Sequence, residues 1–118
     1  MTHVVIVDDQ PEFRRRLCQM LTLAGLHVIG EAEDIPSAEL IVQTQQPDLA
    51  IVDVVLPRIN GLEGTKQLKA ICPRLKVILV SAYLDRAQVF RSAAHDAGAE
   101  AFISKDELDL ELLRTWNA

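Results

Sequence analysis

Short apolar runs alternate along this chain with segments of helical period. Val4-Val5-Ile6-Val7, Leu49-Ala50-Ile51-Val52 and Val77-Ile78-Leu79-Val80 contain no polar residue. Runs of that length, rich in β-branched side chains, mark strands covered on both faces. With two weaker runs they predict strands at residues 3–8, 27–32, 48–53, 76–81 and 100–104. Between them the period changes. Phe13, Leu17, Met20, Leu21 and Ala24 share one face of a first helix, with Pro11 in its first turn and Gly25 as its stop. A second helix opens near Asp34 and Pro36 and buries Ala38, Ile41 and Val42. A third runs from Gly61 to Ile71, before Pro73, and a fourth from Arg86 to Ala97, with Gly98 as its stop. Leu108, Leu112 and Trp116, at i, i+4 and i+8, mark a last helix.

Strict alternation of strand and helix implies a parallel sheet with right-handed crossovers and helices on both faces. Five such units in 118 residues predict one α/β domain over residues 1–118. Its expected form is a doubly wound, five-stranded parallel sheet of order 2-1-3-4-5, a (βα)5 three-layer sandwich. The chain shows no repeat, linker or low-complexity stretch.

Composition narrows the function classes. The chain is 49% hydrophobic and 25% charged, an ordinary globular balance. Its net charge of −5 argues against nucleic acid as a direct partner. No apolar run reaches membrane-spanning length and the N-terminus lacks a signal-peptide pattern, so no membrane role and a cytoplasmic location are expected. Cys18 and Cys72 lack metal or redox spacing and read as buried free thiols. His3, His27 and His95 lack metal-ligand spacing and read as surface or strand-end residues. Arg14-Arg15-Arg16 reads as a solvated helix face.

The candidate chemistry lies where apolar runs end. Asp8 and Asp9 follow the first run and Asp53 ends the third. In the order 2-1-3-4-5, strands 1 and 3 are neighbours whose connections diverge, and ligands bind outside the carboxyl ends of strands at such a point. Three carboxylates there cost solvation and mutual repulsion, which a divalent cation offsets. Ser81 closes the fourth run and Lys105 follows the fifth, reaching the same edge. Three carboxylates, a hydroxyl and an ammonium suit a cation and a phosphoryl group.

The chain resembles a response-regulator receiver domain, the phosphoacceptor half of two-component signalling. The resemblance rests on Val7-Asp8-Asp9, on Asp53 followed by Pro57 and Gly61, on Ser81-Ala82, and on Gly98-Ala99 leading to Lys105. It covers the whole chain and implies a flavodoxin/CheY-like fold, so it is not independent of the predicted strand order. Gly30-Glu31-Ala32, Gly61-Leu62-Glu63 and Lys105-Asp106 resemble the NarL/LuxR-type branch, whose members usually carry a C-terminal helix-turn-helix. The resemblance implies Asp53 as phosphoacceptor. It implies Mg²⁺ held by Asp8, Asp9, Asp53 and the backbone carbonyl of Val55. Lys105 and Ser81 would stabilise the transferring group. The donor would be a phosphohistidine on a sensor histidine kinase or phosphotransfer protein. The switch would be Ser81 and Phe102, with readout on the fourth helix, fifth strand and fifth helix. An output domain in cis and control of transcription are implied; a homodimer through that face or through the first helix stays open. Such a domain catalyses only its own phosphorylation and dephosphorylation and is not otherwise an enzyme.

Several positions depart from the commonest pattern. Val55 and Tyr83 flank the expected phosphoryl group and neither orients an attacking water well, so slow hydrolysis is expected. Phe102 stands where tyrosine is more frequent, and Asp106 where many receivers place proline, which leaves the Lys105–Asp106 peptide trans. Two other classes compete: a phosphorylation-independent interaction module, and a Mg²⁺-dependent phosphohydrolase with an aspartyl nucleophile. Haloacid-dehalogenase-like phosphatases place a second Asp two positions after the first, where this chain has Val55.

Overall fold

The computed structural model describes residues 1–82 and 87–117, with residues 87–90 described by their backbone alone. The chain runs β1 (His3–Val7), α1 (Pro11–Leu23), β2 (His27–Ala32), α2 (Ile35–Gln45), β3 (Leu49–Asp53), α3 (Gly61–Ile71), β4 (Lys76–Ser81), α4 (Ala87–Ala97), β5 (Ala101–Ser104) and α5 (Leu110–Arg114). A 3₁₀ turn over Lys105–Glu107 links β5 to α5. All strand pairs are parallel, as the alternation predicts, and the order is β2-β1-β3-β4-β5, the order that the family resemblance implies.

The unbroken apolar runs are explained by a sheet covered on both faces. Successive strand residues point to opposite sides. Val5, Val7, Ala50, Val52, Val77 and Leu79 pack with Ala38, Val42, Leu68 and Ala94 of α2, α3 and α4. Val4, Ile6, Leu49, Ile51, Ile78 and Val80 pack with Leu17 and Leu21 of α1 and Leu113 of α5. Capping side chains fix where helices begin. Asp34 accepts the Ser37 N–H at 2.9 Å, Asn60 that of Glu63 at 2.9 Å, and Asp109 that of Leu112 at 2.8 Å.

The C-terminal element differs from expectation. Leu108, Leu112 and Trp116 do not share one continuous helix, because two start signals lie close together. Ser104 and Glu107 form a capping box that closes the 3₁₀ turn, and Asp109 then starts α5 afresh. Leu108 falls between them and Trp116 beyond α5, although both still pack on the α1 side of the sheet. The fully buried residue of α5 is Leu113, which the i, i+4, i+8 pattern omits. Cys18 and Cys72 are free but only half-buried. The predicted start of the fourth helix, Arg86, and the flanking Tyr83 lie outside the described residues. No described helix is long and apolar enough to cross a membrane.

Candidate functional site

β1 ends at Val7, and Asp8 is held at once: its N–H donates to the Ala32 carbonyl of β2 at 2.9 Å. Asp53 is the last residue of β3. Because β1 and β3 are neighbours, a carboxylate oxygen from each of Asp8, Asp9 and Asp53 lies within 4.8 Å of the others. The expected acidic cluster is present. Its members are unequal: Asp8 is 0% exposed, Asp53 is 6% exposed, and Asp9 lies open to solvent.

Lys105, entering from the end of β5, reaches into this cluster. Its Nζ lies 2.8 Å from Asp8 Oδ2 and donates a hydrogen bond to Asp53 Oδ2 at 3.1 Å. Beyond this close ion pair, buried Asp8 Oδ2 has no hydrogen-bond partner among the described residues. Asp8 Oδ1 accepts the Gln10 N–H at 2.8 Å, and Asp53 Oδ1 accepts the Val55 N–H at 3.0 Å.

These surroundings set the protonation behaviour. Burial pushes the Asp53 carboxyl up to about 6, against the pull of the Val55 N–H and Lys105, and Asp8 adds to the rise. Burial alone would lower the Lys105 pKa. The Asp8 contact and the charges of Asp53 and Asp8 outweigh it, holding the ammonium above its ordinary value. Asp8 Oδ2 lacks a hydrogen bond, Asp9 is open to solvent, and every candidate ligand is a hard oxygen. That donor set fits a small hard divalent cation.

The β3–α3 connection presents Asp53 through backbone bonds. The Val54 N–H donates to the Val80 carbonyl at 3.0 Å, and the Gly61 N–H returns to the Val54 carbonyl at 2.8 Å. The close return requires glycine: a Cβ at Gly61 would lie 2.2 Å from the Asp53 carbonyl oxygen. Val55 projects from this closed loop, 50% exposed. Ser81 is fully buried at the end of β4, in register with Ser104 of β5 and one step beyond Val80, the β-partner of Asp53. Phe102 is half-buried against the α2–α3–α4 side of the core. The Lys105–Asp106 peptide is trans, as expected for a non-proline residue.

Two neighbours were not read from the sequence as part of the site. Arg15 and Arg16 are solvated as expected, but Arg14 is not. Its guanidinium donates to the Asp8 carbonyl and to Glu31 Oε1, the latter at 3.2 Å, with its side chain 17% exposed. The available signal was a cation early in a helix that starts just after Asp8-Asp9, with Glu31 in the adjoining strand. Phe13, read as a core position of the first helix, also lies beneath the Lys105 ammonium, 4.0 Å from ring centroid to Nζ.

Comparison with known proteins agrees with the geometry. The family model for the response regulator receiver domain matches residues 4–116. The chemotaxis protein CheY of Thermotoga maritima is 36% identical over 102 residues, covering 86% of this chain and 83% of that protein. The transcriptional regulatory protein PdtaR of Mycobacterium tuberculosis is 35% identical over 104 residues, covering 86% of this chain and 48% of that protein. Among solved structures, a CheY-like receiver domain protein of Methanospirillum hungatei superposes with a TM-score of 0.85 at 25% identity, covering 98% of this chain and 90% of that one. The chain spans about half the length of several curated relatives it matches, or less, with 54% and 31% in two further cases. With a family model that spans almost the whole length and an acidic edge built as the fold requires, the chain belongs to the response regulator receiver domains of two-component systems.

Proposed function

We propose that Asp53 accepts a phosphoryl group from a phosphohistidine on a sensor histidine kinase or phosphotransfer protein. One observation carries this reading: Lys105 bridges two buried carboxylates, Asp8 and Asp53, at the carboxyl edge of neighbouring strands. A carboxylate is a competent nucleophile for phosphoryl transfer. Asp53, raised to about 6, is still ionised at neutral pH and more basic than a solvated aspartate. The new P–O bond forms on Asp53 as the P–N bond breaks, and the imidazole nitrogen leaves with the electron pair. Asp8, Asp9, Asp53 and the Val55 backbone carbonyl would hold Mg²⁺, whose positive charge would offset repulsion between carboxylate and phosphoryl oxygens. Lys105 adds a second positive charge, and Ser81 a hydroxyl, to oxygens whose charge spreads in the transition state.

The output is a change of packing. Ser81 and Phe102 form the switch, and the α4–β5–α5 face carries the readout. Phe102 lacks a hydroxyl, so its two states differ by how it packs. Several relatives are named as transcriptional regulators, and a structural neighbour from Staphylococcus aureus is a DNA-binding response regulator of the LuxR family. An output domain in cis that controls transcription is the reading these names support.

Incubation with acetyl phosphate or phosphoramidate and Mg²⁺, followed by intact-mass measurement, tests the proposal. A single adduct, absent in Asp53→Asn and without Mg²⁺, is the expected result. Multiple-turnover hydrolysis of the donor would point to a phosphohydrolase. No adduct under any condition would leave an interaction module that works without phosphorylation.

A further inference from the structure

Lys105 must be aimed at Asp53 by a connection with no proline after it. Of the two carboxylates that hold it, Asp53 is changed by the chemistry proposed above, and Asp8 is shared with the metal site proposed there. The third neighbour is not changed. The Phe13 ring lies under the ammonium, 4.0 Å from centroid to Nζ, well within the range of cation–π attraction. Phe13 packs on the α1 side of the core, and so does Leu108 just after the 3₁₀ turn. The two residues and Lys105 line a cleft of about 30 Å³ with Arg16, Leu17 and Met20; Arg16 is solvated at its mouth. The Lys105 side chain is only 13% exposed, and partial exclusion of water strengthens attraction between a cation and a ring face.

We infer that Phe13 is a positioning residue for Lys105, holding the ammonium over α1 while its oxygen partners change. The attraction acts over the whole ring face, so it tolerates a shift of Nζ from Asp53 Oδ2 toward a phosphoryl oxygen. A directional hydrogen bond would have to break. Arg14 fixes the same turn of α1 by holding the Asp8 carbonyl and Glu31. The ring and the acidic edge are therefore kept in one frame.

The inference rests on Asp53 being the phosphoacceptor, and its test separates the two. Phe13→Leu keeps apolar volume and removes the π face; Phe13→Tyr and Phe13→Trp keep the face. Phosphorylation of Asp53 by acetyl phosphate with Mg²⁺ is expected to slow about fivefold in Phe13→Leu and to stay within about twofold of wild type in the aromatic variants. Protons above an aromatic face are shielded, so the Lys105 ε-methylene signals should lie upfield in wild type, Tyr and Trp variants and return to ordinary shifts in the Leu variant. This NMR readout does not depend on phosphoryl transfer. Equal rates in wild type and Phe13→Leu, with wild type phosphorylated, would overturn the role of Phe13 and leave the phosphoacceptor intact. Unshifted Lys105 signals in wild type would overturn it as well. A wild type that never takes up the phosphoryl group overturns both.

Discussion

At the carboxyl edge of the sheet, Asp8 and Asp53 are buried, share one ammonium and are backed by an aromatic ring. At the amino edge of the same sheet lies a much roomier cleft of about 740 Å³, whose lining includes Asp48, Cys72, Arg74, Lys76 and Trp116. Close to it, His3 Nδ1 and Asp48 Oδ2 stand 3.7 Å apart with side chains 48% and 58% exposed. Both edges place a basic side chain beside a carboxylate. Only at the carboxyl edge are they kept from water, and there the Asp53 carboxyl is pushed up to about 6. Chemical capacity therefore follows the desolvation of charge and not the size of the cleft. Charges left in water are screened and contribute little.

The strongest way to break this contrast is to remove the shared cation. Lys105→Met leaves two buried carboxylates without their counter-charge, and urea denaturation in EDTA at neutral pH should show a loss of about 4 kcal/mol. A loss below about 1 kcal/mol would mean that the acidic edge is as well solvated as the amino edge.

The pH dependence comes next. The folded Asp53 pKa, about 6, lies above the ordinary 3.8, so the folded state binds the proton more tightly. Its contribution to stability is full below about pH 4 and is lost as pH rises through about 6. The difference corresponds to about 3 kcal/mol. Without divalent cations, the stability of Asp53→Asn relative to wild type should therefore grow by roughly that amount between pH 4 and 7. A flat difference would place the Asp53 charge in water.

Metal binding sharpens the comparison further. Mg²⁺ at tenfold its dissociation constant should stabilise the wild type by about 1.4 kcal/mol, seen as a higher Tm. Asp9→Asn should weaken that response, and Asp48→Asn at the amino edge should leave it unchanged. Val55→Asn should then shorten the half-life of the Asp53 phosphoryl group severalfold, measured by intact mass over time. An unchanged half-life would count against Val55 as a cause of slow hydrolysis. The smallest effect belongs to the amino edge itself: His3→Ala should alter stability by no more than about 0.5 kcal/mol.

Most of the fold was legible because each element carries its own signal. Both faces of the sheet are covered, so β1, β3 and β4 read as unbroken apolar runs, and observed and predicted strand limits differ by one residue at most. The gathering of Asp8, Asp9 and Asp53 was legible through strand order, which turns distant positions into neighbours. What escaped depended on short-range competition or on side-chain reach. The capping box at Ser104 and Glu107 and the cap at Asp109 divide a segment that hydrophobic spacing alone joins into one helix. Arg14 and Phe13 sit in stretches whose plain readings, a charged face and a core stripe, are right for their neighbours Arg15 and Leu17. Only the length of a guanidinium and the placement of one ring set them apart.

The loop that carries Val55 closes on itself through the Gly61 N–H and the Val54 carbonyl, and its grip on Asp53 uses backbone atoms alone. The half-exposed side chain at position 55 takes no part in that grip. If Asp53 carries the phosphoryl group as proposed, a lineage could reset how long a signal lasts by one substitution there, keeping the same sender, the same receiver and the same message.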